Sequence, residues 1–214
     1  MPRFATIIFD FDGTIANTLP LIYQTFNTVL GPRIGRKLPD AEIRSHFGPP
    51  DQVILGRYVD PAEREIAFAE YIELYGRDHS QYVHLYDGMY ELLEECKTEG
   101  ARIGVVTGKS RVSAKISLRE LGIGQFIDVL VAGDDVVQPK PHPEGVISAL
   151  KQLGHRDGDH GAMVGDSAAD IYAGRESGLS TIGVTWGVPE HDDLRAAHPD
   201  VLCDTVEQLR TELL

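Results

Sequence analysis

The chain has 214 residues, 42% of them hydrophobic, and a formal net charge of −13. That length suffices to bury a core in one or two domains without disulfides, and Cys96 and Cys203, with no Cys/His cluster around them, read as ordinary semi-buried thiols of a reducing compartment. The acidity argues against nucleic acid or an anionic membrane as partner, no run is long enough to span a membrane, and the stretch before Asp10 is too short for a signal peptide, so a cytoplasmic protein is expected.

The first predicted element is the apolar run Ala5-Thr6-Ile7-Ile8-Phe9, a buried strand that ends at Asp10-Phe11-Asp12-Gly13-Thr14. Strand side chains alternate with period two, so Asp10 and Asp12 are placed to share a crevice beyond the strand's carboxyl end, where open α/β sheets bind ligands. Gly13 permits a turn that a Cβ would resist, and Thr14 supplies a bracing hydroxyl. A D-x-D-G-T segment arises by chance in a chain of this length on the order of 10⁻³ times. Its bland alternative is an acidic turn after a strand.

After Thr14 the pattern is helical, with Ile22, Phe26, Val29 and Leu30 on one face and Pro20 near the start. Asp40 is placed to cap a short helix over Ala41 to Phe47, which Gly48-Pro49-Pro50 must stop. Asp51 opens another, and Pro61 a longer one in which Phe68, Ile72 and Tyr75 are spaced for one face. No strand is expected between residues 16 and 82.

From Tyr86 onward helix and strand alternate with turn residues at each junction, the signature of an α/β fold with a doubly wound, Rossmann-like parallel sheet. Four strands are expected, at Arg102 to Thr107, Val129 to Ala132, Ala162 to Gly165 and Thr181 to Thr185. The clearest helix runs from Pro143 to Leu153, with Val146, Ile147, Leu150 and Leu153 as its stripe and Gly154 ending it. A helical insert therefore separates the first strand from its sheet. The economical division is an all-helical cap domain over residues 16–83 on a catalytic core of residues 1–15 and 84–214.

Three other strand ends carry polar residues suited to a phosphate. Thr107, Gly108 and Lys109 offer a hydroxyl, backbone N–H groups at a helix start, and a cation. Lys140 stands between Pro139 and Pro141, which hold its backbone extended and deliver its ammonium to one place. Asp166 ends a strand and Asp170 lies one helical turn later, so with Asp10 they form a hard oxygen site of the type that Mg²⁺ uses. Each has a plainer alternative: a structural threonine, a solvated lysine, a capping acid.

The charges support the grouping. Asp10 and Asp166 with a phosphate dianion come near neutrality against Mg²⁺ and Lys140. Asp10 is then placed to attack phosphorus, giving an aspartyl-phosphate, with Asp12 as general acid and afterwards general base. Lys140, Thr107 and the neighbouring N–H groups would stabilise charge on the equatorial oxygens.

These four segments, in this order, resemble the haloacid dehalogenase superfamily of phosphohydrolases. Asp10 to Thr14 resembles its first motif, Thr107 its second, Lys140 its third, and Gly165-Asp166 with Asp170 its fourth. The resemblance implies Mg²⁺ held by Asp10, the backbone carbonyl of Asp12 and Asp166, with Asp170 supporting Lys140 or a metal-bound water. It also implies a cap that closes over substrate and selects it. Asp12 narrows the choice to a phosphatase or phosphomutase. Phe47-Gly48-Pro49-Pro50 and Thr185-Trp186-Gly187 look most like phosphoglycolate phosphatases and related pyrophosphatases.

The expected partner is accordingly a small phosphorylated metabolite, acted on by a monomer or homodimer. Lys109 is a candidate substrate contact; Arg44, His46 and Arg57 read first as surface residues, and Tyr75, Tyr82 and Tyr86 as packing residues. Two other readings stay open: a sugar phosphomutase of the β-phosphoglucomutase type, and a signalling receiver domain. A receiver needs neither an inserted cap nor a proton-transferring Asp12.

Overall fold

The computed structural model describes residues 3–156, 158–187 and 191–214. The chain begins with β1 (Thr6–Phe9), a strand buried along its whole length. It then forms β2 (Ala16–Asn17) and four helices, α1 (Leu19–Ile34), α2 (Asp40–Arg44), α3 (Asp51–Leu55) and α4 (Arg64–Tyr82), before β3 (His84–Leu85). The remainder alternates as α5 (Met89–Thr98), β4 (Arg102–Val106), α6 (Arg111–Glu120), β5 (Val129–Val131), α7 (Glu144–Gln152), β6 (Gly161–Gly165) and α8 (Ala168–Glu176). It closes with β7 (Ser180–Val184), α9 (Asp192–Ala196), β8 (Val201–Cys203) and α10 (Val206–Leu213).

The main sheet has the order β5-β4-β1-β6-β7-β8, and every pairing in it is parallel. β1 is flanked by β4 and β6, and its alternating side chains divide the core. Ile7 and Phe9 join Met89, Leu92 and Leu93 of α5 and Leu209 and Leu213 of α10, while Ile8 joins Val146, Ala149 and Leu150 of α7 on the opposite face. Period-two alternation thus builds two helical layers on one sheet, the doubly wound architecture expected. Burial on both faces requires continuous apolar strands, which is why these are so nearly devoid of charge.

The chain leaves the core at β2 and returns at β3, and the two strands pair antiparallel, Ala16 opposite Leu85 and Asn17 opposite His84. This two-residue strand corrects the expectation of no strand between residues 16 and 82. Two residues are too few to show a period. Between them α1 buries Leu21, Ile22, Phe26, Val29 and Leu30, and α4 buries Ala67, Tyr71, Tyr75 and His79. The face of α4 is therefore rotated from the one expected: Phe68 and Ile72 are only partly buried. The rotation turns polar aromatic side chains toward α6, a surface that can hydrogen-bond them.

Other boundaries shift for local reasons. Pro39, not Asp40, is the N-cap residue of α2, and the helix stops at Arg44. Ile147 of α7 is exposed and Ala149 takes its place in the core. The strand β8 was not expected, because an edge strand of three residues, two of them only partly buried, has little periodicity to read. Cys96 and Cys203 are fully rather than partly buried, and burial raises both thiols above their ordinary range, leaving them protonated packing groups. Among the described residues no helix is long and apolar enough to cross a membrane.

His79 lies where α4 meets α6. Its Nε2 is 2.9 Å from the Ser117 Oγ, and its ring meets Tyr75 edge-on at 5.6 Å. Burial, aided by the nearby Lys109 charge, lowers its pKa from 6.5 to about 4. An unfolded chain takes up the proton that the folded chain refuses, so this group withdraws stability as pH falls from 6.5 toward 4, by up to about 1.4 kcal/mol per pH unit. Urea midpoints at pH 7 and pH 5 should fall less in His79→Gln than in the parent protein. Equal falls would show that His79 is not the group responsible.

Candidate active site

β1, β4 and β6 end side by side, and the functional side chains lie just past those ends. Asp10 follows β1 directly, the loop after β4 brings Thr107, Gly108 and Lys109, and Asp166 follows β6. Lys140 arrives from the loop between β5 and α7. Its Nζ donates to Asp10 Oδ1 at 2.7 Å, Asp170 Oδ1 at 2.6 Å and the Val106 carbonyl at 2.9 Å. All three donor hydrogens of the ammonium are therefore committed.

Asp170 is fully buried in the first turn of α8. Its second oxygen accepts from the Ser167 N–H at 3.1 Å and the Ser167 hydroxyl at 2.6 Å, a capping box that fixes the start of the helix. Asp170 is thus both a helix cap and an anchor for Lys140, so the two readings left open by the sequence hold together. Asp12 is held differently: its Oδ1 accepts from the Thr18 hydroxyl and from Lys109 Nζ. Gly13 makes the turn directly after Asp12 with φ +78°, and a Cβ there would collide with the Asp166 carboxylate.

The electrostatics of this cluster are short of positive charge. Burial raises Asp10 to about 7, with Lys140 opposing the rise and Asp170 and Asp12 adding to it. Burial, then Asp10 and Asp170, pushes Asp166 well above the usual carboxylate range. Burial alone would discharge Lys140, but Asp10 and Asp170 outweigh it and hold the ammonium above its ordinary value. One lysine among three carboxylates leaves the equivalent of two negative charges.

The residues present fit a divalent cation. Asp10, Asp166 and Asp170 each bring an oxygen within 4.8 Å of the others'. Asp170 is engaged by Lys140 and Ser167, which leaves Asp10 and Asp166 to face a cation. The donors are all oxygen, as a hard ion such as Mg²⁺ requires. The Tyr86 hydroxyl, whose pKa is raised by burial and then by Asp166 and Asp12, is buried without a hydrogen-bond partner among the described residues.

A cavity of about 560 Å³ opens over these groups. Asp10, Asp12, Gly108, Lys109, Lys140 and Asp166 form its polar floor, and Leu19, Ile22, Phe26, Phe47 and Ile54 of the helical insert its apolar wall, with Arg44 among them. The structure therefore brings together the expected Asp10, Asp12, Gly108, Lys109, Lys140 and Asp166, with Asp170 behind Lys140. Thr107 stands apart from that lining, its Oγ1 accepting the Lys109 N–H at 3.2 Å. Of the three cap residues considered, Arg44 lines the cavity, whereas Arg57 and His46 contact each other at 2.9 Å.

Sequence reasoning missed Thr18, whose hydroxyl donates to Asp12, and the partner of Asp51, while Tyr75 is buried as the packing residue expected. Asp51 of α3 accepts from the Ser110 N–H at 3.2 Å and the Ser110 hydroxyl at 2.8 Å, joining the insert to the start of α6. Its position behind Pro49-Pro50 announced a helix start but not the partner, which lies 59 residues away.

A strand-end aspartate pair, a buried lysine and an all-oxygen cluster that fits a divalent cation thus lie together beneath the helical insert. The chain belongs to the haloacid dehalogenase-like hydrolases, whose family model matches residues 7–184. It is 31% identical over 207 residues to the pyrophosphatase PpaX of Bacillus cereus, covering 97% of this chain and 95% of that one. The PpaX of Bacillus velezensis is 33% identical over 208 residues with the same coverage. A structure from Haemophilus somnus described as a predicted phosphoglycolate phosphatase superposes with a TM-score of 0.85 at 23% identity, covering 99% of both chains. CbbY from Rhodobacter sphaeroides, solved in complex with phosphate, gives 0.83 at 23% identity over 97% of this chain and 96% of that one. The protein is a hydrolase of this family.

Gly165 packs against Asp170 so closely that a Cβ would overlap its side chain. Asp170 cannot retreat, since Lys140 and Ser167 hold it from both sides. Gly165→Ala should cost about 1–3 kcal/mol of stability by urea denaturation and lower turnover as well. An alanine variant of parental stability would contradict this packing.

Proposed function

We propose that the protein is a Mg²⁺-dependent phosphatase that hydrolyses a small, anionic phosphate monoester of the phosphoglycolate type through an aspartyl-phosphate on Asp10. The carrying observation is the geometry of Lys140, which joins Asp10 to Asp170 with Asp12 on the same cavity floor. Asp10, Asp166 and the Asp12 carbonyl would hold the metal, which offsets the negative charge of the phosphoryl group when bound.

Asp10 attacks phosphorus in line as the ester P–O bond breaks, and Asp12 gives its proton to the departing alkoxide. With Thr18 and Lys109 both on Asp12 Oδ1, Oδ2 is left to carry that proton. Asp12 then takes a proton from the water that attacks the aspartyl-phosphate, freeing phosphate and restoring Asp10. The charge of Lys140 and the N–H of Gly108, both on the cavity floor, would stabilise the charge that develops on the phosphoryl oxygens. The apolar wall suits an organic leaving group, and Arg44 suits a carboxylate on it.

A second reading, hydrolysis of pyrophosphate, is favoured by the PpaX relatives, which span nearly the whole chain. In that case Arg44 would meet the second phosphate.

Phosphate release from phosphoglycolate, other small esters and pyrophosphate separates the two. Release should require Mg²⁺, stop with chelator, and fall by roughly 10²–10⁴-fold in Asp12→Ala and at least as far in Asp10→Asn. Arg44→Ala should raise KM for phosphoglycolate about tenfold with kcat nearly unchanged, since it holds a remote group. A clear preference for pyrophosphate would replace the first reading by the second, and unimpaired Asp10→Asn would reject both.

A further inference from the structure

Helix α4 presents Tyr71, Tyr75 and His79, spaced four residues apart, as a continuous buried stripe. Tyr75 is at the centre of it. Its ring stacks on Tyr71 at 5.8 Å, meets the edge of His79 at 5.6 Å, and is pinned through its hydroxyl to the Ser117 Oγ at 2.9 Å. Over that ring, 4.7 Å from its centroid, lies the Lys109 ammonium. The same ammonium reaches Asp12 Oδ1 at 3.1 Å, and the Lys109 side chain is only 2% exposed.

A buried ammonium with a single carboxylate partner is costly, and the negative face of an aromatic ring lowers that cost without competing for the carboxylate. The ring and Asp12 together fix where the Lys109 ammonium rests, and Asp12 takes its position from Lys109 together with the Thr18 hydroxyl.

We propose that Tyr75 is a positioning residue for the reaction: its ring, delivered by the helical insert, holds the Lys109 ammonium against Asp12, so that the proton-transferring carboxylate is set only while the insert is seated on α6. The inference rests on the phosphatase reading above and adds to it. Lid and proton donor become one device. Asp51 strengthens the coupling, because it seats the insert on the Ser110 N–H, next in the chain to Lys109.

Mere packing would need only the volume of the ring; positioning needs its charge distribution. The test replaces Tyr75 by phenylalanine and then by mono-, di- and trifluorinated phenylalanines, which keep the shape and progressively drain the negative face. Tyr75→Phe should keep kcat for the preferred phosphate substrate within about threefold. Fluorination should lower kcat stepwise, by about tenfold at three fluorines, the equivalent of about 1.4 kcal/mol. KM should change less than about threefold and the melting temperature should stay level. The same series at Tyr71, whose ring has no cation over it among the described residues, should show no further step with fluorination once Tyr71→Phe has removed its hydroxyl from Asp51.

Rates at position 75 that ignore fluorination, or that fall in parallel with thermal stability, would overturn the proposal and leave the phosphatase reading intact. No phosphate release from any ester or pyrophosphate by the parent protein would instead overturn that reading, and this inference with it.

Discussion

A single buried ammonium organises the centre of this protein. Lys140 reaches across from the β5–α7 loop to Asp10 at the end of β1, Asp170 on α8 and the Val106 carbonyl at the end of β4. Three separate pieces of chain are tied at one atom. Removing one partner from such a cluster leaves a buried charge uncompensated, which costs far more than the net worth of the intact pairing. The cluster is nonetheless unbalanced, as the raised Asp10 and Asp166 carboxyls show. Charge deficiency of that kind is a resource, since an oxygen-ligated divalent ion would complete it and would give an anionic group local positive potential in a protein of net charge −13.

The fold makes this affordable by placing polar groups where strands end. Within the sheet, Ile7, Ile8 and Phe9 are buried on both faces and carry no charge; one residue later the chain leaves the sheet and can show carboxylates to the crevice. The helical insert completes the enclosure from above. It shares one hydrophobic cluster with the core, and specific polar contacts join the two as well: Asp51 on the Ser110 N–H, Tyr75 on Ser117, His79 on Ser117. Hydrogen bonds of this type have defined geometry and can be exchanged for water, which suits a surface that must seat in one register. The cavity wall is largely apolar, with Leu19, Ile22, Phe26, Phe47 and Ile54 in it.

The reaction core was legible because its signals are local. Asp10 and Asp12 are two apart after an apolar run, and Asp166 and Asp170 are four apart across a strand–helix junction, so backbone periodicity alone sets their directions. Lys140 between prolines was legible for a similar reason. The cap was legible as helices, yet the orientation of α4 was not. Phe68, Ile72 and Tyr75 are as well spaced as Tyr71, Tyr75 and His79, and only the presence of Ser117 and Lys109 opposite selects the second set. The three-residue β8 was illegible because short, half-exposed edge strands carry little hydrophobic pattern.

The sequence by itself determined the class of sheet, the existence of a helical insert and the identity of the carboxylates and lysine that meet at the strand ends, since each depends on the handedness, period and reach of a few consecutive residues. The tertiary structure alone decided that Thr18 and Lys109 share one oxygen of Asp12, that Asp51 binds the start of α6, that Arg44 rather than Arg57 lines the cavity, and that Tyr75 lies under Lys109. Those pairings join residues distant along the chain. Their partners are chosen by which helix faces pack together, and that choice is made by the summed burial of both faces rather than by any segment alone.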